Sequence, residues 1–317
     1  MSMNKFDIQR MKGSPFFNIM MFSAFWAVQI FVTKLALNAG AQVLSYQLLS
    51  LLAALVILSV FLLPRFGKEF QSLFKDKPDL FWRLFFANGI QSGMGTCLSI
   101  IGISLTSTIN AGFLVKLSTV TTILFAWLIL KERLTVIKIL MVFSMLSGAY
   151  LLTTKGQILL PRIGDLFILG ACVCWSLGNV LIRKYLKSQP VKIEVVTFQK
   201  SLAGLPFVLA IVGLALWTPG IFGSLDQVLS CCKPPSAVFP YIIGNGVLLT
   251  FTWTYLNNTL KISSASYMTM MSMVTPVFVS LLAMIFLGER MVRIQIIGAG
   301  MIILSGVITY FSGISTD

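Results

Sequence analysis

Three lysines stand inside long apolar stretches of the sequence, namely Lys34, Lys116 and Lys200. If these stretches span a membrane, each ammonium group is costly to bury and marks a functional site by default. The ten acidic residues all fall in loops, in tails or at helix ends, so no membrane carboxylate is predicted to neutralise the lysines. The predicted chemistry is recognition of an anionic or zwitterionic solute through a carboxylate or phosphate. The same lack of buried acids argues against proton-coupled cation exchange and favours facilitated diffusion or exchange.

Each lysine also has a structural explanation. Lys116 lies roughly ten residues from the nearer end of its stretch, about 15 Å deep at a helical rise of about 1.5 Å per residue. That depth favours a cavity role, with contact to polar helix neighbours or to the interface as the alternative. Lys34 is close to the outer end of its helix and Lys200 is about two turns into its own. For both, an ammonium that snorkels to the interface competes with substrate binding.

Aromatic and amide side chains could complete a binding site in the same stretches. For the aromatic residues, lipid-facing or interfacial packing is at least as good an explanation. Pairs at corresponding positions of the two halves, Asn88 with Asn245 and Trp26 with Trp175, rank higher because pseudo-symmetry would direct both copies to a shared interface. The predicted substrate-binding residues are Lys116, Lys34, Trp26, Asn88, Asn245, Trp175, Tyr255 and Lys200, with Trp253, Gln47, Gln199 and Asn179 as further candidates.

Other chemistries are disfavoured by the residues that the chain lacks. It has no histidine, the commonest general base and metal ligand, and its acids do not cluster, so no enzyme, metal or cofactor is predicted. A membrane hydrolase built on serine and lysine stays as a formal alternative. Cys97, Cys172 and Cys174 lie in apolar stretches and are predicted to pack as small hydrophobes. Cys231 and Cys232 are adjacent, and a strained disulfide between them is not expected.

Composition identifies an integral membrane protein, because 57% of the 317 residues are hydrophobic, 11% are charged and the mean hydropathy is +0.90. A spanning helix needs about 20 apolar residues. The formal charge of +14 therefore indicates membrane topology and no nucleic-acid partner. The ten predicted spans are 16–37, 44–63, 84–104, 106–130, 135–152, 164–182, 193–217, 237–256, 263–287 and 294–312.

The distribution of lysine and arginine predicts the orientation of these spans. With the N-terminus inside, sixteen of the 24 basic residues fall in cytoplasmic segments and five in outer segments. Both termini are therefore predicted to be cytoplasmic. A signal peptide is the alternative for the first apolar run, but that run is long, contains Lys34 and has a counterpart in the other half, so it is expected to remain as a helix.

The chain repeats itself. Residues 87–133 align without a gap to residues 244–290, with an offset of 157 and nine identities in 47 positions, and both copies close on Glu-Arg. Two tandem copies of five helices each must enter the membrane with opposite polarity, because five is odd. The predicted fold is an all-α membrane protein of ten transmembrane helices arranged as two inverted five-helix repeats. Such folds carry substrate near the midplane where the halves meet and rock one half against the other.

The repeat predicts four segments and one asymmetry. The segments are an N-terminal tail (1–15), a first repeat (16–155), a second repeat (164–312) and a C-terminal tail (313–317). In the aligned copies Lys116 meets Met273 and Thr119 meets Pro276, so we expect one copy to keep the charge and the other the bend. A membrane scaffold or lipid-handling protein is the alternative outside the transport class.

Two further pieces of sequence concern the helix ends. Glu132 and Glu289 are the acidic residues of the helix endings LKER and LGER. Each is predicted to fix a tight turn and to favour the N-terminus of the helix that follows. These endings, the following helices with LSG, and the tryptophan and lysine of the first helix resemble the drug/metabolite transporter superfamily, specifically its ten-helix EamA-type members. The resemblance covers essentially the whole chain.

The resemblance implies a multi-pass carrier in the cell inner membrane that exports or exchanges an amino acid or a similar small solute. Import of a nucleotide-like or other environmental metabolite is the alternative. The implied partners are a small-molecule substrate and the lipid bilayer, and the implied state is a monomer or homodimer. The cavity would be lined by helices from both halves.

Overall fold

A computed structural model describes residues 13–187, 189–217 and 235–312. Within these ranges the regular elements are helical, and ten of the helical segments are long and apolar enough to cross a membrane. Both predicted tails and Cys231 and Cys232 lie outside the described residues, apart from the few residues from 13 onward. The helices are α1 (Pro15–Asn38), α2 (Val43–Asp76), α3 (Pro78–Asn88, Gly89–Met94 and Gly95–Leu105), α4 (Thr108–Leu114, Val115–Leu117, Ser118–Phe125 and Ala126–Leu130), α5 (Val136–Thr154), α6 (Ile163–Leu186), α7 (Ile193–Trp217), α8 (Ser236–Val238 and Phe239–Ile262), α9 (Ala265–Met271, Ser272–Val274 and Thr275–Leu287) and α10 (Arg293–Phe311).

The predicted spans agree with these helices except around the connection from α2 to α3. The predicted second span stops at residue 63, whereas α2 continues through Pro64 to Asp76. The extension is amphipathic rather than apolar, because Phe66, Phe70 and Leu73 recur at helical spacing and pack into the largest hydrophobic cluster. Hydropathy alone could not detect such a segment.

The two five-helix repeats run in opposite directions through the bundle. The second half of α4 packs against the first turns of α9, so α4 ends where α9 begins. The C-terminal ends of α4 and α9 have the same hydrogen bond. The peptide N–H of Glu132 donates to the carbonyl of Ala126 at 3.2 Å, and that of Glu289 donates to the carbonyl of Ala283 at 3.3 Å, 157 residues later. The structure thus confirms the predicted inverted-repeat fold, and a tight turn lies at each Glu-Arg ending.

The residue before each glutamate is left-handed, which is what closes both turns. Lys131 has φ 59° and its counterpart Gly288 has φ 66°. A left-handed residue commonly ends a helix, and glycine adopts it without steric cost. Lysine does so at some cost, and the LKER turn is therefore the more strained copy.

Helix packing does not follow the division into sequence halves. Helices α1 and α2 of the first repeat pack on α8, with α1 also along α9, and we name α1, α2, α8 and α9 bundle A. Helices α6 and α7 of the second repeat pack on α3, with α6 also along α4, and these four form bundle B. The two bundles meet where α7 packs on α2 and where α4 packs on α9. Each bundle takes two helices from each repeat, so the packing units differ from the sequence halves. The expectation that one half rocks against the other stays a prediction.

Helices α5 and α10 pack on each other with their backbones in contact. The space that a Cβ atom would need at Gly148 holds the carbonyl oxygen of Gly298 at 2.6 Å, and the reverse distance is 2.5 Å. Small residues allow such backbone contact in membranes.

Both α4 and α9 tighten into a short 3₁₀ turn at the same place in each repeat, Val115–Leu117 and Ser272–Val274. The second turn leads into Pro276, whereas the first has no proline. The charge lies in one copy only, but the 3₁₀ turn occurs in both, so it does not depend on the proline. The expected division of charge and bend between the copies stays a prediction. A 3₁₀ stretch inside a helix often marks a hinge.

Candidate functional site

Lys116 occupies the middle of the 3₁₀ turn of α4 and is half-buried. Its ammonium lies 5.0 Å from the centroid of the Trp26 ring of α1, within the range of a cation–π contact. It makes no hydrogen bond and no ion pair within the described residues. In particular it makes no hydrogen bond to a serine hydroxyl of the described residues. The group is a positive charge held between two helices without an anion.

Lys200 is the second buried ammonium, and it has a polar partner. Its Nζ donates a hydrogen bond to Oε1 of Gln91 in α3, whose Nε2 in turn donates to Oδ1 of Asn179 in α6. The Lys200 side chain is 1% exposed, and its ammonium lies 5.8 Å from the centroid of the Trp253 ring. The lysine is therefore held within bundle B, while its ring partner belongs to bundle A.

The two lysines share one arrangement. Each stands on a helix of bundle B and faces an indole of bundle A, α4 against α1 in one case and α7 against α8 in the other. Trp26 and Trp253 both pack at the edge of the same hydrophobic cluster. The interface between the bundles thus places two ammonium groups on one side and two indoles on the other, with Lys116 half-buried and Lys200 fully buried and bonded to Gln91. Such a surface suits a small solute with an anionic group and an apolar body.

Asn88 and Asn245 are fully buried, and the nitrogen and oxygen of both amides make no hydrogen bond to any residue that the structure describes. The glycine after Asn88 touches Ala203 of α7, and the glycine after Asn245 touches Ala53 of α2, so each amide sits in an equivalent helix junction. An unsatisfied buried polar group costs about 1–3 kcal/mol. Within the described residues no hydrogen bond joins either amide to the ammonium of Lys116 or Lys200. The Ser92 hydroxyl nevertheless bonds to the backbone carbonyls of both Asn88, at 2.7 Å, and Lys200, at 3.1 Å, so Asn88 lies near the backbone of Lys200.

The remaining predicted residues are not brought together with the two lysines. Trp175 lies against Gly95 of α3 and fills the groove between α3 and α6. Tyr255 stacks on Phe25 of α1, with ring centroids 5.7 Å apart. Lys34 is exposed and donates to Glu289 at 2.8 Å. Their roles in binding stay predictions, and for Trp175 and Tyr255 helix packing accounts for what is seen.

The contacts of Gln91 and of the two glutamates could not be predicted from the sequence. Gln91 is an amide in an apolar helix, three residues after Asn88, and that polarity was the available signal. The prediction that Glu132 favours the helix that follows it is wrong. Glu132 instead accepts from the peptide N–H of Ala265 at 2.9 Å and of Ser266 at 3.1 Å, at the start of α9, and from the Ser266 hydroxyl. The following helix, α5, is capped by Thr135.

Arg183 lies beside Glu132 at the same end of the bundle. Its guanidinium donates to the carbonyls of Leu260 at 3.1 Å and Lys261 at 2.8 Å, at the end of α8. A surface depression of about 430 Å³ ends at these two side chains. Its lining residues, besides two apolar ones, are Lys131, Glu132, Arg133, Arg183, Lys184 and Lys187.

No group of three or more cysteine, aspartate or glutamate side chains that could hold a metal ion occurs in residues 13–187, 189–217 and 235–312. Cys97, Cys172 and Cys174 are buried and free.

We expect Gln91→Leu to lower the thermal midpoint of the protein, because Lys200 then loses its acceptor in a site that water does not reach. The cost should be roughly 3 kcal/mol. Removing the charge as well, in Gln91→Leu with Lys200→Met, should recover most of the loss. Thermal unfolding of the four proteins in detergent forms the double-mutant cycle. If the two single changes simply add, Gln91 does not support the Lys200 charge.

The pair of Lys34 and Glu289 is expected to weaken in acid. The hydrogen bond from Lys34 lowers the pKa of Glu289, burial opposes this slightly, and the charges of Lys34 and Lys155 add to the lowering. Because the folded-state pKa is the lower one, the pair stabilises above the unfolded-state pKa and its contribution is lost as pH falls through the folded-state pKa. The pair is exposed, so the contribution is under about 1 kcal/mol. The difference in thermal midpoint between the native protein and Lys34→Gln should stay constant from pH 7 down to about pH 5 and narrow as the pH falls below about 4. A difference that widens would contradict this.

Comparisons with known proteins point to one family. A model of the EamA-like transporter family matches residues 14–154 and again residues 162–311. The uncharacterized transporter YyaM of Bacillus subtilis (strain 168) is 33% identical over 95 residues, which make up 28% of this chain and 31% of that protein. The match thus spans less than a third of that relative. One crystal structure of a protein shares the fold with a TM-score of 0.67 at 15% identity, over 93% of this chain and 96% of the other.

Proposed function

The chain belongs to the EamA-like transporter family, and we propose that this multi-pass membrane transporter carries a small anionic or zwitterionic metabolite through the interface between bundles A and B. The single observation that carries the proposal is Lys116, a half-buried ammonium with no anion beside it in the described residues. Substrate would supply that anion.

Substrate binding is favourable because the ammonium of Lys116 has no anionic partner when the site is empty. An unpaired ammonium away from water is unfavourable, and a carboxylate or phosphate that reaches it gains a charge-assisted hydrogen bond. Trp26 would line the apolar part of the solute from bundle A while Lys116 holds its charge from bundle B. A solute held in this way contacts both bundles at once, which is what a carrier needs in order to couple binding to their relative movement.

We take the membrane orientation from the distribution of basic residues. The end that carries Glu132 is then cytoplasmic, and it is the end that the contacts of Glu132 and Arg183 close. We propose the inner membrane as the location, with export or exchange of an amino acid or a similar solute. Import of a nucleotide-like metabolite is the alternative direction, because alternating access works both ways.

A counterflow screen in proteoliposomes tests this function. Vesicles preloaded with unlabelled amino acids, organic acids, nucleotides, sugar phosphates or organic cations are tested for uptake of the same labelled compound, against vesicles without protein. We expect saturable counterflow for one anionic or zwitterionic class. Counterflow of cations alone would overturn the proposal. Lys75→Ala serves as the matched control, since it removes an exposed lysine at the end of α2.

A further inference from the structure

The two ends of the bundle carry equivalent pairs of charged residues in different arrangements. Glu132 and Glu289 are related by the repeat offset of 157 residues, and Arg183 and Lys34 each follow the first-helix tryptophan of their repeat by eight residues. Each glutamate thus has a cation at the equivalent position of the other repeat. The pairs form different contacts, and that difference carries a functional consequence.

At the Glu132 end the contacts cross from one bundle to the other. Glu132 belongs to α4 of bundle B and accepts from the first peptide N–H groups of α9 in bundle A. Arg183 belongs to α6 of bundle B and donates to the last carbonyls of α8 in bundle A. The two side chains are only 7% exposed. Together they fasten the turn between α8 and α9 to bundle B, with the carboxylate placed where the start of a helix favours negative charge.

Two further contacts close the same end. The ammonium of Lys192, just before α7, donates to Glu69 of α2 at 2.6 Å. The ammonium of Lys261 in α8 donates to the carbonyl of Val191 at 2.6 Å. Both join bundle A to bundle B.

At the Glu289 end the equivalent contacts stay within one bundle. Glu289 at the end of α9 pairs with Lys34 of α1, and both helices belong to bundle A. The two side chains are 53% and 51% exposed. Neither reaches bundle B, although bundle B presents a matching turn there, between α3 and α4.

That turn is already shaped like its counterpart. Ser107 caps the start of α4 by accepting from the N–H of Asn110, as Ser264 caps α9 by accepting from the N–H of Tyr267. Thr106 and Asn110 also bond to Asp165 of α6, which fixes the turn within bundle B. The residues equivalent to Ala265 and Ser266 are Thr108 and Ile109, whose N–H groups open α4.

We propose that Glu132 and Glu289 are alternating gate residues of the transport cycle that close opposite ends of the substrate path by capping each other's helix. In the conformation open at the Glu132 end, Glu289 accepts from the N–H groups of Thr108 and Ile109. Lys34 then donates to the last carbonyls of α3, at the positions equivalent to Leu260 and Lys261. Glu132 and Arg183 meanwhile release α9 and α8 and pair with each other, as Glu289 and Lys34 do now.

This swap of partners keeps the two conformations close in energy, because the contacts that are broken at one end are replaced by contacts of the same kind at the other end. A carrier needs this balance, since a ligand can shift an equilibrium only by its difference in affinity for the two states. The proposal rests on the alternating access inferred above, but it requires no particular substrate.

Hydrogen exchange followed by mass spectrometry tests the gate without any substrate. In Glu132→Gln we expect faster exchange at the start of α9 and slower exchange at the start of α4, each by about tenfold, as the population moves to the other conformation. Faster exchange at α9 with no change at α4 would show a purely local cap and overturn the proposal. Because the readout contains no solute, failure of the anion screen would leave this result interpretable by itself.

Glu289→Gln keeps the test decisive if Glu132→Gln does not fold, because Glu289 has only an exposed ion pair to lose. We expect slower exchange at the start of α9, about tenfold, because the opposite conformation loses its own gate. Asp79→Asn is the matched control, since it removes an exposed ion pair with Arg83 inside α3 and should change neither helix start. Native exchange at α9 in Glu289→Gln would overturn the proposal.

Discussion

Replacing Lys116 with methionine is expected to reduce transport by at least tenfold and to raise the thermal midpoint at the same time. The change removes the positive charge that we propose to hold the substrate anion, and a charge-assisted hydrogen bond is worth about 1.5–3 kcal/mol. Methionine fits the space, because Met273 occupies the equivalent position of α9 and is buried there. Stability should rise because the unliganded protein no longer keeps an unpaired ammonium between two helices.

The opposite movement of the two quantities is the informative part. Counterflow in proteoliposomes measures transport, and thermal unfolding in detergent measures stability. Lys116→Arg keeps the charge and should retain more activity than Lys116→Met. Lys75→Ala should leave both quantities near native values. Native transport by Lys116→Met would remove Lys116 from the substrate path, whatever happens to the midpoint.

Alanine at Gly298 is expected to destabilise the protein, whereas alanine at Gly300, two residues further along α10, is not. A Cβ atom at Gly298 would lie 2.5 Å from the carbonyl oxygen of Gly148 and 2.9 Å from the peptide nitrogen of Leu152. Both are backbone atoms and cannot turn aside, so α5 and α10 must separate. Overpacking of this kind costs about 1–3 kcal/mol. Nothing lies within 4 Å of a Cβ atom at Gly300.

The two substitutions therefore form a matched pair. Alanine is the better helix former by up to about 1 kcal/mol, so Gly300→Ala should leave the thermal midpoint unchanged or raise it. Gly298→Ala should lower the midpoint by several degrees. Equal midpoints for the two variants would mean that α5 and α10 do not touch as closely as the structure shows.

Composition and repetition predicted the fold well because both are properties of single segments. Long apolar runs must be helices in a membrane, and an odd number of helices per copy requires inversion. The 157-residue offset even relates the two 3₁₀ turns and the two left-handed turn residues. Segments with mixed polarity were beyond this reasoning, as the extension of α2 past Pro64 shows.

The sequence allowed the residues of the candidate site to be predicted from their type, but it did not reveal which residues they contact. Lys116 and Lys200 are identifiable because a charge in an apolar helix is rare. The acceptor of Lys200 is Gln91, 109 residues away, and Glu132 caps a helix that begins 133 residues later. No local pattern encodes such pairs, since they depend on how the ten helices assemble.

The composition of the two bundles has a consequence for biogenesis. Helices α1 and α2 find their main packing partner in α8, which begins about 160 residues after α2 ends. During synthesis the first two helices must therefore stay in the lipid without that partner until most of the chain has been inserted. Contacts of such long sequence separation form late. A chain truncated before α8 should thus be integrated in the membrane yet remain sensitive to the proteases that remove unassembled helices.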